Sequence, residues 1–89
     1  MVYAPARKAI VIATHNRARS IQEEIAQILS EGNVPIVVDD ASTDGTPQAA
    51  EAAGAWVVCS GSDTPFSTAI RQAIRLAASL GDEILVRRY

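Results

Sequence analysis

Two adjacent acids, Asp39 and Asp40, follow a short apolar run and precede a loop of small polar residues. In proteins that alternate strands and helices, ligands bind where the carboxyl ends of strands meet loops. Neighbouring side chains of a strand point to opposite faces, so these two acids have different surroundings. We therefore expect one acid to orient the loop through backbone N–H groups. We expect the other to accept hydrogen bonds from a base edge or a sugar hydroxyl, or to bind a metal ion.

A second polar segment, residues 13–17, follows the first predicted strand. His15 can stack on a planar ring or titrate as a base, although a surface histidine before a helix is the commoner case. The sheet should place this segment beside the two acids. Arg17 would then lie near a bound phosphate, and the alternative is a solvated place on the following helix.

Two weaker signals lie further along the chain. Hydroxyl residues at 60–64 precede a helix that carries Arg71, and free N–H groups at a helix start attract anions. Arg87 and Arg88 follow the fourth predicted strand, where they would either bind a diphosphate or form a solubilising tail.

Several familiar sites are not supported by the sequence. Residues 40–51 nearly match a calcium-binding loop, but a strand precedes them and Pro47 lies inside the loop. The chain has no glycine-rich dinucleotide motif, no P-loop lysine and no G-x-S-x-G motif. One cysteine and one histidine are too few for a structural zinc site.

Apolar runs at 9–13, 34–38, 55–59 and 83–86 predict four strands. Helical spacing predicts three helices, from about 17 or 20 to 31, from Thr46 to 54 and from Thr64 to 81. Either Ser20 with Glu23 or Asn16 would cap the first helix. The alternation predicts an α/β fold, a three-layer Rossmann-like parallel sheet of four strands with helices on both faces.

The bulk composition describes one small domain, residues 1–89. A hydrophobic content of 48% is enough for a packed core. The net charge of −2, without a basic block, argues against a nucleic-acid partner. The apolar runs are too short for a membrane span, and the lone Cys59 suits a reducing cytoplasm, so we expect a cytoplasmic protein.

These motifs together resemble the N-terminal nucleotide-binding half of the family 2 glycosyltransferases, which have the GT-A type fold. The resemblance extends from about Lys8 to Val86, and its motifs are residues 11–17, 36–46, 69–71 and 85–86. It implies a GT-A-like half domain with strand order 3-2-1-4 and a nucleotide over the carboxyl ends of the strands.

The resemblance also implies roles for individual residues. Asp40 would accept a hydrogen bond from a uracil N–H, His15 would pack on the base, and Arg71 would lie near the phosphates. The full expected nucleotide-binding set is Ala13, Thr14, His15, Asn16, Arg17, Asp40, Ser42, Arg71 and Arg88.

The chain departs from the family at the metal-binding D-x-D motif, because Arg88 stands about where its first acid is expected. The acceptor-binding half is also missing from the sequence. We therefore expect no catalytic residues, no metal ligands and no cofactor, with UDP or a UDP-sugar as the ligand of a binding protein. The alternatives are a transferase half-site completed by another chain and an assembly protein that binds no nucleotide. An uncovered sheet edge after the fourth strand predicts a homo-oligomer or a partner protein.

Overall fold

Strands and helices alternate along the whole of residues 7–88, which are the residues that the computed structural model describes. The elements are β1 (Lys8–Thr14), α1 (Ala18–Ser30), β2 (Val34–Asp40), α2 (Thr46–Ala52), β3 (Trp56–Ser60), α3 (Phe66–Leu80) and β4 (Glu83–Arg87). All strand pairs are parallel and the order is β3-β2-β1-β4, which confirms the predicted α/β fold and strand order. Residues 1–6 and 89 of the predicted domain lie outside the described residues.

The central strands are buried on both faces, and their alternation sorts the core into two layers. Ile12 of β1 and Val37 of β2 pack with α1 and α2 on one face. Val11 and Val38 pack with α3 on the other. We call these the α1 face and the α3 face of the sheet.

Helix α3 packs through small residues. Ala69, Ala73 and Ala77 repeat every four residues and are fully buried, so the helix backbone can approach the sheet closely. Ile74, which the apolar pattern places in this stripe, is instead 39% exposed because it lies one position beyond Ala73 around the helix.

Helix α1 buries Ile21, Ile25 and Ile28, as the spacing predicts, but Leu29 is 44% exposed. The Leu29 side chain lies at the rim of the core, against the turn at Gly54, where an added Cβ would lie 3.1 Å from Leu29 Cδ1.

The predicted helix caps are wrong. Arg17 precedes α1, Gly45 precedes α2 and Pro65 precedes α3, and none of these three residues makes a capping hydrogen bond through its side chain. Ser20 falls inside α1, past the position from which a hydroxyl reaches the first free N–H groups. Thr46 is already helical.

Strand β2 is longer than predicted and includes both acids. Asp39 pairs with Cys59 and Asp40 pairs with Ser60, so the ladder with β3 holds them in extended backbone.

Gly81 lets the end of α3 lie close to β1, because a Cβ at this position would lie 2.8 Å from the Ala9 backbone nitrogen. The space, rather than the backbone conformation, requires glycine at this position, since its φ of −142° is ordinary.

Candidate functional site

The two acids of β2 have opposite surroundings at the carboxyl edge of the sheet. Asp39 follows Val38 on the alternation, so it points to the α1 face, and it is only 2% exposed. Its carboxylate accepts hydrogen bonds from the Ser42 backbone N–H at 2.9 Å and from Ser42 Oγ at 2.6 Å. Asp39 therefore holds the loop after β2.

Asp40 is half-buried and lies on the α3 face. Ser60 Oγ lies 3.1 Å from Asp40 Oδ1 and 3.2 Å from the Asp39 backbone oxygen. Because Ser60 ends β3, the hydroxyl fixes the second acid from the neighbouring strand. The sequence indicates Ser60 only as a loop hydroxyl, although aligning the ends of β2 and β3 places Ser60 opposite Asp40.

The loop after β1 contacts the end of β2 directly. His15 Nδ1 lies 2.6 Å from the Asp40 backbone oxygen, and since a carbonyl only accepts, Nδ1 carries the hydrogen. Asn16 Nδ2 lies 3.2 Å from His15 Nε2, and since an amide nitrogen only donates, Nε2 accepts this hydrogen bond. Both nitrogens of this exposed side chain thus fix its orientation, which suits a ring that offers its face to a planar base.

A reciprocal pair of hydrogen bonds joins the two loops. The Asn16 backbone N–H donates to Ser42 Oγ at 2.8 Å, and the Thr43 backbone N–H donates to Asn16 Oδ1 at 2.8 Å. Asn16 and Ala41 both have left-handed backbone, with φ of 51° and 52°. Asparagine tolerates this conformation, whereas alanine adopts it with backbone strain, and such strain concentrates at functional sites.

Asp44 connects the starts of α1 and α2, a role that the sequence reasoning missed. Its carboxylate accepts hydrogen bonds from the Ala18 backbone N–H at 3.1 Å, the Thr46 backbone N–H at 3.1 Å and Thr46 Oγ1. Thr46 Oγ1 in turn accepts from the Arg17 backbone N–H at 2.8 Å. The Thr46 hydroxyl and then the Ala18 N–H hold the pKa of Asp44 below its usual value. An acid two residues before a Thr-Pro helix start is the available sequence signal.

Thr14 and Ala13, which we expect to line the nucleotide, are both buried. Thr14 is in register with Asp39, and Thr14 Oγ1 has no hydrogen-bond partner within residues 7–88. Alternation along β1 places Thr14 on the α1 face and Ala13 on the α3 face, the face of Asp40.

Four of the seven arginines are candidates for binding phosphate, and the structure places them in different surroundings. Arg17 donates to Glu24 at 2.8 Å, and Arg87 donates to the other oxygen of Glu24 at 3.1 Å. Arg71 is exposed on α3, the helix that covers the Asp40 face, and Arg88 is exposed just past β4. Neither of these last two makes an ion pair within the described part of the chain.

The edge thus brings together Ala13, Thr14, His15, Asn16, Asp40 and Ser42. The Arg17 guanidinium instead binds Glu24. Within residues 7–88, no three histidine, cysteine or acidic side chains cluster as metal ligands would. Partial burial, and then the charge of Asp39, raise the pKa of the Cys59 thiol.

A depression of about 480 Å³ lies at the opposite edge of the sheet, lined by Arg7 and by residues 78–82. Its polar groups bond to each other: Arg7 N–H donates to Asp82 Oδ2 at 3.2 Å, and Asp82 N–H donates to the Arg7 oxygen at 2.8 Å. In parallel α/β sheets ligands bind at the carboxyl edge, so the loops after β1 and β2 remain the candidate site.

Among the described residues, no helix has the length and apolar character needed to cross a bilayer.

Comparison with known proteins gives a family and a structural neighbour. The profile of Glycosyl transferase family 2 matches residues 9–80. The crystal structure of M. tuberculosis glucosyl-3-phosphoglycerate synthase superposes with a TM-score of 0.59 at 28% sequence identity. The superposition covers 89% of this chain and 32% of the synthase, so the chain spans about a third of its length. No curated protein sequence gives a significant match.

Proposed function

Because this chain belongs to glycosyltransferase family 2, we propose that its carboxyl-edge loops bind a uridine nucleotide, UDP or a UDP-sugar, as a binding module without transferase activity. The proposal depends on one observation, which is that the two acids of β2 lie on opposite faces of the sheet and have different hydrogen-bond partners. Asp39 is occupied with Ser42 inside the loop, whereas Asp40 points to the other face with its carboxylate positioned by Ser60.

A carboxylate at this place suits uracil for a chemical reason. Uracil presents an N–H between two carbonyl oxygens, and an ionised carboxylate only accepts hydrogen bonds. Its two oxygens offer about four lone-pair sites, so Asp40 can accept from Ser60 and from a base together. His15, oriented through its ring nitrogens, would stack on the base beside it.

Phosphate would lie toward the arginines. Arg71 is on the helix that covers the Asp40 face, and Arg88 follows the end of β4 at the same edge of the sheet. Arg17 would contribute a phosphate contact once its partly buried ion pair with Glu24 has opened. In this proposal Thr14, Asn16 and Ser42 shape the loop instead of contacting phosphate.

Calorimetric titration of the purified chain with UDP and CDP tests the proposal. We expect UDP to bind at least about tenfold more tightly, since cytosine has a lone pair where uracil has its N–H. Asp40→Asn should remove most of this preference, because the amide offers a donor as well as an acceptor.

Asp63→Asn is the matched control, since it removes one negative charge from the exposed loop after β3 at the same edge. It should leave both affinities unchanged. Failure of UDP, UTP and UDP-glucose to bind at millimolar concentration would remove the proposal, and equal affinities of the native chain and Asp40→Asn would contradict the role of Asp40.

A second candidate is a transferase half-site that another polypeptide completes. It is favoured by the structural neighbour, which is a glucosyl-3-phosphoglycerate synthase and of which this chain covers 32%. Release of UDP from UDP-glucose by the chain with a co-purified partner, but not by the chain carrying Asp40→Asn, would support this candidate over a binding module.

A further inference from the structure

One chain of hydrogen bonds runs from the loop after β2, through the loop after β1, to the end of β2. The Thr43 backbone N–H donates to Asn16 Oδ1 at 2.8 Å, and Asn16 Nδ2 donates to His15 Nε2 at 3.2 Å. His15 Nδ1 then donates to the Asp40 backbone oxygen at 2.6 Å. Two side chains of the first loop thus bridge the turn between Asp40 and Thr43 of the second.

Both ends of this chain are backbone groups whose roles cannot change. The Thr43 N–H only donates, and the Asp40 carbonyl only accepts. The amide of Asn16 must therefore turn its oxygen to Thr43 and its nitrogen to His15, and the ring must have a hydrogen on Nδ1. A single placement of hydrogens satisfies all three bonds, and it requires that Nε2 has none.

A proton on Nε2 breaks this chain whichever way the amide of Asn16 turns. In the orientation of the structure, Nε2–H would meet the donor Nδ2. After a half-turn of the amide, Oδ1 would accept from the ring, but Nδ2 would then meet the donor N–H of Thr43. Either His15 or Thr43 therefore loses its bond to Asn16.

We infer that Asn16 is a positioning residue that makes the join between the two loops depend on the protonation of His15, so that a proton on the ring releases Thr43. His15 is exposed, and histidine ordinarily gains its proton between about pH 8 and about pH 5. The inference concerns the loops themselves and does not depend on nucleotide binding.

The release is local, because a second bond between the loops does not involve the amide. The Asn16 backbone N–H donates to Ser42 Oγ at 2.8 Å, whatever the orientation of the side chain. Ser42 is itself held by Asp39. The loops therefore stay together at Ser42, and the Thr43 N–H is the group whose bond changes.

The charged groups on the segments packed against His15 are three acids and one base. Asp39 and Asp40 end β2, Asp44 lies in the loop after it, and Arg17 follows on the loop of His15. Asp44 is bonded to the starts of α1 and α2, and Arg17 is bonded to Glu24. The substitutions below leave all four unchanged, so a difference between variants reports on the amide of Asn16.

NMR spectroscopy of the chain between about pH 8 and about pH 5 tests the inference. The ring resonances of His15 should show a hydrogen on Nδ1 alone at the upper pH and on both nitrogens at the lower pH. Over the same range, the protection factor of the Thr43 amide against solvent exchange should fall about threefold to tenfold, which corresponds to one hydrogen bond.

The Ala18 amide is an internal control in the same pair of loops. It donates at 3.1 Å to Asp44, whose pKa the Thr46 hydroxyl holds below its ordinary value. This acceptor stays ionised over the whole titration, so the protection factor of the Ala18 amide should stay constant.

Asn16→Asp should reverse the response. A carboxylate has the shape of the amide but only accepts, and aspartate also tolerates the left-handed backbone of this position, where φ is 51°. It has no donor for an unprotonated Nε2, yet it can accept from Thr43 and from a protonated ring together. Protection of the Thr43 amide should then rise as the pH falls.

Asn33→Asp is the matched control, because it makes the same change at the opposite edge of the sheet. Asn33 Oδ1 accepts from the Lys8 backbone N–H at 3.0 Å, far from the two loops. This variant should keep the native response of Thr43. Circular dichroism of each variant verifies that it is folded.

Constant protection of the Thr43 amide while the His15 ring gains its second proton would overturn the inference. So would a ring with its hydrogen on Nε2 at the upper pH, or a ring that stays unprotonated at the lower pH. An equal fall of protection in Asn16→Asp and in the native chain would assign the response to another group and would overturn it as well.

Discussion

Strands β2 and β4 both lie beside β1, yet they differ in almost everything else. Residues 35–39 of β2 are buried, whereas β4 is exposed along its full length. The carboxyl end of β2 continues into a loop whose polar groups bond to the loop after β1. The side of β4 that faces away from β1 has no strand beside it in the described chain. Within residues 7–88, the same sheet therefore carries a hydrogen-bonded site at one strand and an exposed strand two positions away.

The largest expected effect is a difference in the free energy of unfolding when a valine is truncated to alanine in each strand. Val37 is fully buried and Val86 is 48% exposed. Val37→Ala should lower the free energy of unfolding by about 2 to 3 kcal/mol, because it leaves a cavity in the core. Val86→Ala should cost less than about 0.5 kcal/mol. Urea unfolding measures both losses, and equal losses would show that the two strands are not differently covered.

A smaller effect separates the two acids of β2. Asp39→Asn should lower the free energy of unfolding by about 1 to 2 kcal/mol, because an amide cannot accept from both the N–H and the hydroxyl of Ser42. Asp40→Asn should cost less than half as much, since the side chain is half-buried and accepts from Ser60. The same urea titrations compare them. A greater loss from Asp40→Asn would reverse the assignment of the structural acid.

The smallest predicted effect is the pH dependence at Asp44. Its hydrogen bonds lower its pKa in the folded chain below the ordinary value of 3.8. Hence it contributes stability above that value, and the contribution is lost as pH falls through the folded pKa. The native chain should therefore exceed Asp44→Asn in urea midpoint at neutral pH, with the gap closing as pH falls below 3.8 and through the lower folded pKa. A gap that persists in acid would mean that the Asp44 charge does not matter.

The sequence predicted the layers and strand order well because these depend on long-range patterns. Apolar runs mark β1 and β2 as doubly covered, and the family resemblance gives the order. It also predicted that the acids of β2 would diverge, since the pleat requires it. The prediction of the helix caps failed although Ser20 and Thr46 have side chains that can cap. The first N–H groups of α1 and α2 instead donate to Asp44, in the loop after β2.

Contacts between loops were the hardest to predict. The bonds from Asn16 to Ser42 and Thr43 join residues 26 and 27 positions apart, and no local signal indicates them. Similarly, Glu24 binds Arg87 across 63 positions, so the sequence alone suggested phosphate for a guanidinium that the structure holds against an acid.

The adjacency of Asp39 and Asp40 has a consequence for how the chain reaches its fold. If β2 slipped by one residue against β1, every side chain of the strand would change face. Asp39 would leave the buried place that it has on the α1 face, and the Asp40 carboxylate would turn into that face, away from Ser60. The two acids thus disfavour a shifted pairing of β2 with β1, so the residues that end the strand also help to set its register.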